Sequence, residues 1–219
     1  MSSLPRLLQL VSPTLPIGGY TYSRGLEAAV ERGWVVDEAS SRAWIGGLLD
    51  HAQARLDAPL VARLHRCLER GDRPAADCWA RFADATRETS ELQAESRATG
   101  RALVRLLVDL GLVAPPSDAV RNAQVAAFAL AAVALDLSLQ EALRGYLWTW
   151  LEASVAAAIK LVPLGQTAGQ RILLRLGPAV EAAAERAELL PDDELGALVP
   201  GLALASALHE SQHTRLFRS

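Results

Sequence analysis

Two residue types, alanine and leucine, dominate this chain and restrict what it can fold into. They occupy 40 and 38 of the 219 positions, whereas valine and isoleucine together fill 19 and aromatic residues make up 5%. Alanine and leucine are among the strongest helix formers, while β-strands favour β-branched and aromatic side chains. The composition therefore predicts an all-α protein, and the length suits a single domain over 1–219.

An irregular N-terminal segment and a short C-terminal tail flank the predicted helices. Two prolines and two glycines fall within residues 13–19, and that density excludes a regular helix. We therefore expect an N-terminal segment and loop over 1–22 and a C-terminal tail over 210–219. The spacing of apolar residues predicts about nine or ten helices in the domain.

Capping residues and prolines predict where several helices begin and end. Asp37 and the Ser138–Glu141 pair are typical N-terminal caps. Pro59 is expected to kink or divide the helix that Asp37 begins. Further helices are predicted over 88–110, 119–135, 166–176, 178–189 and 193–209. The helix over 119–135 is so apolar that we expect it to be central and nearly buried.

Charge and hydropathy exclude several classes of protein. The net charge of −3 and the pI near 5.8 give no electrostatic basis for general nucleic-acid binding. The longest uninterrupted apolar run covers only 125–135, well short of the roughly 18 residues of a membrane span. The first residues lack the layout of a signal peptide, and Cys67 and Cys78 form no disulfide framework. We expect a cytoplasmic protein that contacts neither a membrane nor nucleic acid.

The segment His209-Glu210-Ser211-Gln212-His213 matches H-E-x-x-H, the pattern that places two zinc-binding imidazoles on one helix face. A zinc hydrolase needs a third ligand, and the residues after His213 include no His, Asp, Glu or Cys. We therefore reject a peptidase. His209 and His213 remain weak candidates for an opportunistic metal contact, and the alternative is a plain polar helix that frays at its end.

Lys160 is the one lysine among 22 basic residues, and it follows a run of apolar residues. The simplest interpretation is a side chain that reaches water from a helix end. The sharper one is a charge used as a contact point or switch. A Schiff-base lysine would need further chemistry that the sequence does not supply. Similarly, Gly18-Gly19 lacks the lysine of a phosphate-binding loop.

The tail residues Arg215, Leu216, Phe217, Arg218 and Ser219 combine apolar and arginine side chains. Arginine and aromatic residues are frequent anchors of protein interfaces. The tail is therefore predicted to be a short docking peptide, with a disordered tail as the alternative.

Three segments carry a resemblance to a known family. Residues 12–27 read S-P-x-x-P-x-G-x-Y-x-x-S-x-G-L-E, residues 154–166 read S-V-x-A-A-x-K-L-V-P-L-G-Q, and residues 215–219 read R-L-F-R-S. Together they resemble the UreF family of urease accessory proteins, in order along most of the chain. Tyr20 stands where that family often has Phe, and His213 where it often has Tyr, which makes the H-E-x-x-H match coincidental.

The resemblance implies an all-α cytoplasmic protein without enzymatic chemistry of its own. It implies a homodimer that binds UreD, also called UreH, and recruits the GTPase UreG. In that complex nickel is delivered to apo-urease, coupled to GTP hydrolysis, and the chain acts as adaptor and regulator. Nickel is handled by the complex, and the resemblance implies no cofactor held by this chain alone.

The same resemblance suggests where partners bind. The tail and the last helix would contact UreD and the dimer partner, and Lys160 would lie near a UreG-facing or regulatory surface. The N-terminal loop would line the centre of the assembly. Besides Lys160 and the tail, the interaction residues suggested by the resemblance are Pro16, Gly18, Tyr20, Ser23 and Glu27, together with Glu88 in the similar pair Glu88-Thr89.

Two other functions stay open at this point. A GTPase-activating protein would insert an arginine into the UreG site, and Arg24, Arg87, Arg97 and Arg101 are the candidates. A stand-alone helical enzyme would use Lys160 or the two histidines His209 and His213.

Overall fold

The computed structural model describes residues 3–219, and Met1 and Ser2, the first residues of the predicted segment 1–22, lie outside it. This described part of the chain contains helices and no β-strand, so the prediction of an all-α domain is confirmed. The α-helices are α1 (Leu4–Leu10), α2 (Leu26–Glu31), α3 (Glu38–Leu48), α4 (Ala58–Glu69), α5 (Arg73–Ala85), α6 (Ser90–Asp109), α7 (Asp118–Arg121), α8 (Gln124–Ala134), α9 (Leu139–Leu161), α10 (Gln166–Leu189) and α11 (Pro200–Glu210).

Asp37 and Ser138 begin α3 and α9 with reciprocal capping boxes, as predicted. The Asp37 carboxylate accepts a hydrogen bond from the Ser40 N–H at 2.8 Å, and Ser40 Oγ accepts one from the Asp37 N–H at 3.0 Å. Ser138 and Glu141 exchange the same pair of bonds at 3.3 and 2.8 Å. Each box satisfies two N–H groups that helix geometry leaves free.

The apolar stretch 119–135 forms two helices rather than one. Ser117 caps the short α7, Asn122 ends it, and α8 starts after Ala123. Helix α8 is buried along most of its length between α4 and α6, so its predicted central position is confirmed. Gly100 on α6 permits this approach, because a Cβ there would lie 2.9 Å from the main-chain oxygen of Arg121.

The predicted kink at Pro59 takes the form of a change in winding. A π-helical segment, Leu49–Asp57, joins α3 to α4 without a break, and Pro59 lies in the first turn of α4. The wider π-helical turn is a known feature of functional sites. Here it places Gln53 and Asp57 on the inside of the domain, where both are buried.

The prediction of separate helices over 166–176 and 178–189 is wrong, because α10 runs through Pro178 without interruption. Proline removes one intrahelical hydrogen bond. Buried residues before and after Pro178, among them Ile172 and Val180, continue one apolar face that packs on α9. Tertiary packing therefore overrides the local preference. The last helix is shorter than predicted, since α11 begins at Pro200.

The N-terminal loop and the residues after α11 meet beside the C-terminal end of α9. Main-chain hydrogen bonds join Ser23 to Ser219 and Thr21 to Arg218. Lys160, near the end of α9, lies against Phe217. No helix among residues 3–219 has the length and apolar character needed to cross a bilayer.

Candidate functional site

The approach of the N-terminal loop to α11 depends on left-handed backbone at Arg24 and Gly25. Their φ angles are +53° and +77°, and such values are easy for glycine and costly for other residues. A Cβ at Gly25 would lie 3.0 Å from the Ala205 Cβ and 3.1 Å from the Ser206 nitrogen. Glycine is therefore required at position 25 for two reasons, the left-handed backbone conformation and the close contact between the start of α2 and α11.

The turn that precedes α2 binds the last residue of the sequence. The main-chain N–H groups of Ser23 and Arg24 donate to the main-chain oxygen of Ser219 at 2.5 and 2.9 Å. The Ser23 hydroxyl donates to the same oxygen at 2.5 Å. Ser219 Oγ in turn donates to Glu95 at 3.2 Å. Ser219 is fully buried by these contacts. Residues 214–219, which we call the C-terminal segment, are therefore packed against the domain.

Glu27 on α2 binds the same segment at Leu216 and Phe217, shortly before Ser219. Its carboxylate accepts the main-chain N–H groups of Leu216 at 2.6 Å and Phe217 at 2.9 Å. It also lies 3.3 Å from His209 Nε2. A buried carboxylate is costly unless donors surround it, and this one accepts two main-chain N–H groups.

His209 lies between two carboxylates and is completely inaccessible to solvent. Nε2 faces Glu27 at 3.3 Å, and Nδ1 faces Glu91 of α6 at 2.8 Å. Arg215 also reaches Glu91, at 2.8 Å. The expectation of a frayed helix end at His209 is therefore wrong, because α2, α6 and the C-terminal segment enclose it.

The structure does not bring His209 and His213 together into a metal site. Both ring nitrogens of His209 face carboxylates, and His213 is exposed. Across residues 3–219, no three His, Cys, Asp or Glu side chains are grouped so that they could hold a metal ion.

Lys160 and Phe217 form a cation–π contact, with the Lys160 Nζ 5.6 Å from the ring centroid. Phe217 is only 5% exposed, whereas Lys160 is exposed in the last turn of α9. A cation is favourable at that end of a helix, and the solvent-reaching lysine is the interpretation that this geometry supports. The one lysine of the sequence thus covers the apolar anchor of the C-terminal segment.

Exposed residues of the segment flank this anchor on both sides. Leu216 is 64% exposed although its neighbour Phe217 is buried, so the two side chains lie on different sides of the segment. Arg215 and Arg218 are also exposed. We call the exposed residues Lys160, Arg215, Leu216 and Arg218 the tail surface.

Tyr20 extends the site on the side of the N-terminal loop. Its hydroxyl donates to Glu152 of α9 at 2.8 Å, and burial together with this bond raises the pKa of Tyr20 far above its ordinary value. Pro16 and Gly18 are exposed in the preceding loop, and Gly18 has left-handed backbone with φ +75°. Within residues 3–219, neither Pro16 nor Gly18 forms a hydrogen bond with the C-terminal segment.

Glu88 lies elsewhere, at a cavity of about 70 Å³ that also contacts Arg24. Desolvation raises the pKa of Glu88. Inside this cavity, Arg87 forms two hydrogen bonds with Asp57, at 2.6 and 3.2 Å. The Tyr146 hydroxyl lies 3.4 Å from the same carboxylate. Sequence reasoning missed Asp57 and Tyr146, since no local pattern connects them.

The four candidate arginines differ in how firmly they are held. Arg24 pairs with the buried Glu95 at 2.7 Å, and Arg87 pairs with the buried Asp57. Arg97 pairs with Asp84 at 2.6 Å at the surface. Arg101 is exposed, and its one described partner is the neutral amide of Asn122, at 2.9 Å. Arg101 is therefore the candidate most easily released.

Comparisons with known proteins agree on one family. A family model described as UreF matches residues 35–177. The chain is 50% identical over 216 residues to the urease accessory protein UreF of Alkalilimnicola ehrlichii, with 98% of this chain and 95% of the relative covered. It is 48% identical over 218 residues to the protein of that name from Chromohalobacter salexigens, with 99% and 95% covered. The corresponding protein of Azoarcus sp. is 50% identical over 223 residues, with 99% and 95% covered.

Proposed function

The chain belongs to the UreF family of urease accessory proteins, and we propose that it is a non-enzymatic adaptor in urease maturation. In this proposal it binds UreD and UreG in the cytoplasm, as a homodimer, and helps to deliver nickel to apo-urease in a step coupled to GTP hydrolysis by UreG. Nickel is cargo of the complex, and the chain supplies binding surfaces rather than a reaction site.

The observation that carries this proposal is the two-sided construction of the C-terminal segment. Its inner side is fixed by the buried Phe217 and by the bonds from the segment to Glu27 and from the N-terminal turn to Ser219. Its outer side presents the tail surface, with one large apolar side chain among three cations. An ordered segment loses less conformational entropy when a partner binds. We propose that UreD binds this surface.

Lys160 belongs both to α9 and to the tail surface. We therefore propose that it has a regulatory role in partner binding in addition to its contact with Phe217. Its ammonium group is exposed and close to Phe217. A partner that binds Lys160 would also contact the C-terminal segment. We therefore propose that UreG approaches from this side and that Tyr20, Ser23 and Glu27 act indirectly, by holding the segment in place.

We expect Leu216→Asp to abolish capture of UreD, because it places a carboxylate in the apolar centre of the tail surface. The matched control is Leu189→Asp, which changes another strongly exposed leucine. Leu189 lies at the end of α10, where Glu188 contacts Gln140 at the opposite end of α9 from Lys160. The measurement is co-purification of UreD with each full-length variant. Equal capture by wild type and Leu216→Asp would contradict the assignment.

A second candidate function, supply of an arginine to UreG, is favoured by the exposure of Arg101. Our adaptor proposal predicts that Arg101→Ala leaves UreG turnover unchanged. An arginine supplied in trans is worth roughly 10³–10⁵ in rate, so its loss would be obvious. The measurement is GTP hydrolysis by UreG with wild type, Arg101→Ala and the control Arg105→Ala, which removes another exposed arginine of α6. Stimulation that only Arg101→Ala removes would establish the alternative.

A further inference from the structure

The contacts of His209 with two carboxylates require a definite number of protons. Each nitrogen–oxygen contact, at 2.8 Å to Glu91 and 3.3 Å to Glu27, needs one proton to be a hydrogen bond. A neutral imidazole carries one N–H and one bare nitrogen, whereas an imidazolium carries two N–H groups. With both carboxylates ionised, both contacts are bonds only when the ring is an imidazolium.

The charges around the ring support the imidazolium. Glu27 faces it from α2 and Glu91 from α6, and Arg215 of the C-terminal segment pairs with Glu91. On α11 itself, Glu210 is engaged by Ser90 and lies on the solvent side. The next charged groups are the Arg24–Glu95 pair, already neutralised, and Lys160 at Phe217. Glu27 and Glu91 carry two negative charges and Arg215 carries one positive charge. The group is therefore neutral only when the His209 ring carries the second positive charge.

Removal of the second ring proton has a direct consequence for the C-terminal segment. A bare nitrogen would then face a carboxylate oxygen inside the domain, where unpaired and repelling lone pairs are costly. Glu27 is the carboxylate that also holds the N–H groups of Leu216 and Phe217. Relief of the repulsion by movement of Glu27 would therefore weaken the bonds that fix the segment.

We propose that His209 is a positioning residue whose second ring proton holds residues 214–219 against the domain. Because both contacts are hydrogen bonds only with the ring doubly protonated, docking is favoured at acidic pH and weakens as the pH rises. Histidine is the side chain that changes charge between about pH 5 and pH 8. On the proposed function, on which this consequence rests, the tail surface would be presented to UreD in a pH-dependent way.

Amide hydrogen exchange at Leu216 and Phe217 in the full chain tests the proposal without any partner. After correction for the intrinsic rates, we expect protection of these amides to fall roughly tenfold or more between about pH 5.5 and pH 8.5. His209→Gln, which donates to one carboxylate only and does not titrate, should show lower protection with a flat profile. His213→Gln, a change of the exposed histidine, should keep the wild-type profile. A His209→Gln profile equal to that of wild type would overturn the proposal.

Ring nitrogen chemical shifts of His209 in the unaltered protein give a second measurement that needs no variant. We expect both nitrogens to carry protons under the conditions in which Leu216 and Phe217 are protected. A ring with one bare nitrogen under those conditions would overturn the proton lock and leave the adaptor proposal standing. Conversely, normal capture of UreD by Leu216→Asp would overturn the adaptor assignment and leave the proton lock standing.

Discussion

Substitution of Arg87 by methionine is expected to lower the free energy of unfolding by about 3–5 kcal/mol, the usual loss when one partner of a buried ion pair is removed. Arg87 and Asp57 are only 16% and 7% exposed and are joined by two hydrogen bonds. Methionine fills similar space but donates nothing. Asp57 would then stay buried with the amide of Gln53 at 3.2 Å and the hydroxyl of Tyr146 at 3.4 Å.

The electrostatics of Arg87 show why the pair acts as a unit. Burial alone would lower the pKa of Arg87, but the charge of Asp57 and its hydrogen bonds raise it above the ordinary value. For Tyr146, by contrast, burial raises the pKa, so its hydroxyl keeps the proton that it donates to Asp57. The π-helical segment supplies Asp57, and the loop before α6 supplies Arg87. Loss of the pair would therefore loosen the contact between these two elements.

Arg97→Met is the matched control for this prediction. Arg97 binds Asp84 through two hydrogen bonds of 2.8 and 2.6 Å, a geometry as good as that of Arg87, but the side chains are 42% and 24% exposed. Water can replace the lost bonds there, so we expect a much smaller change. Urea unfolding followed by circular dichroism measures both variants. Equal losses in the two variants would show that burial is not what makes the Arg87 pair important.

Local rules were sufficient for much of the fold. The caps at Asp37 and Ser138 act within four residues, and the alanine and leucine content expresses a propensity of each residue alone. The errors arose where distant residues decide. Pro178 continues α10 because the helix face packs on α9, and 119–135 is interrupted where Ser96 of α6 accepts the Gln124 N–H at 3.1 Å.

The candidate site was predictable as a set of residues but not as a geometry. The resemblance singled out Ser23, Glu27, Lys160 and the tail, and the structure joins them in one place. Their contacts could not be read from the sequence, since Glu27 and His209 are separated by 182 positions. Glu91, which completes the charge balance around His209, belongs to no motif of the sequence.

Phe217→Ala is expected to release the C-terminal segment and with it the capture of UreD. Truncation of a buried phenylalanine costs about 3–5 kcal/mol, and the cation–π contact with Lys160 is lost as well. At about 1.4 kcal/mol for each factor of ten, exchange at the Leu216 amide should accelerate by roughly 100-fold or more. The domain itself should stay folded, because the packing of α8 against α4 and α6 does not involve the C-terminal segment.

The neighbouring variant Leu216→Asp separates the two sides of the segment. Leu216 is exposed where Phe217 is buried, so Leu216→Asp should keep the wild-type exchange protection and lose only UreD capture. Phe217→Ala should lose both. If Phe217→Ala kept full protection, the hydrogen bonds of Glu27 and Ser219 would be sufficient to dock the segment. If it lost protection yet still captured UreD, the partner would select the segment in a released form, and the preorganised tail surface would not be what UreD binds.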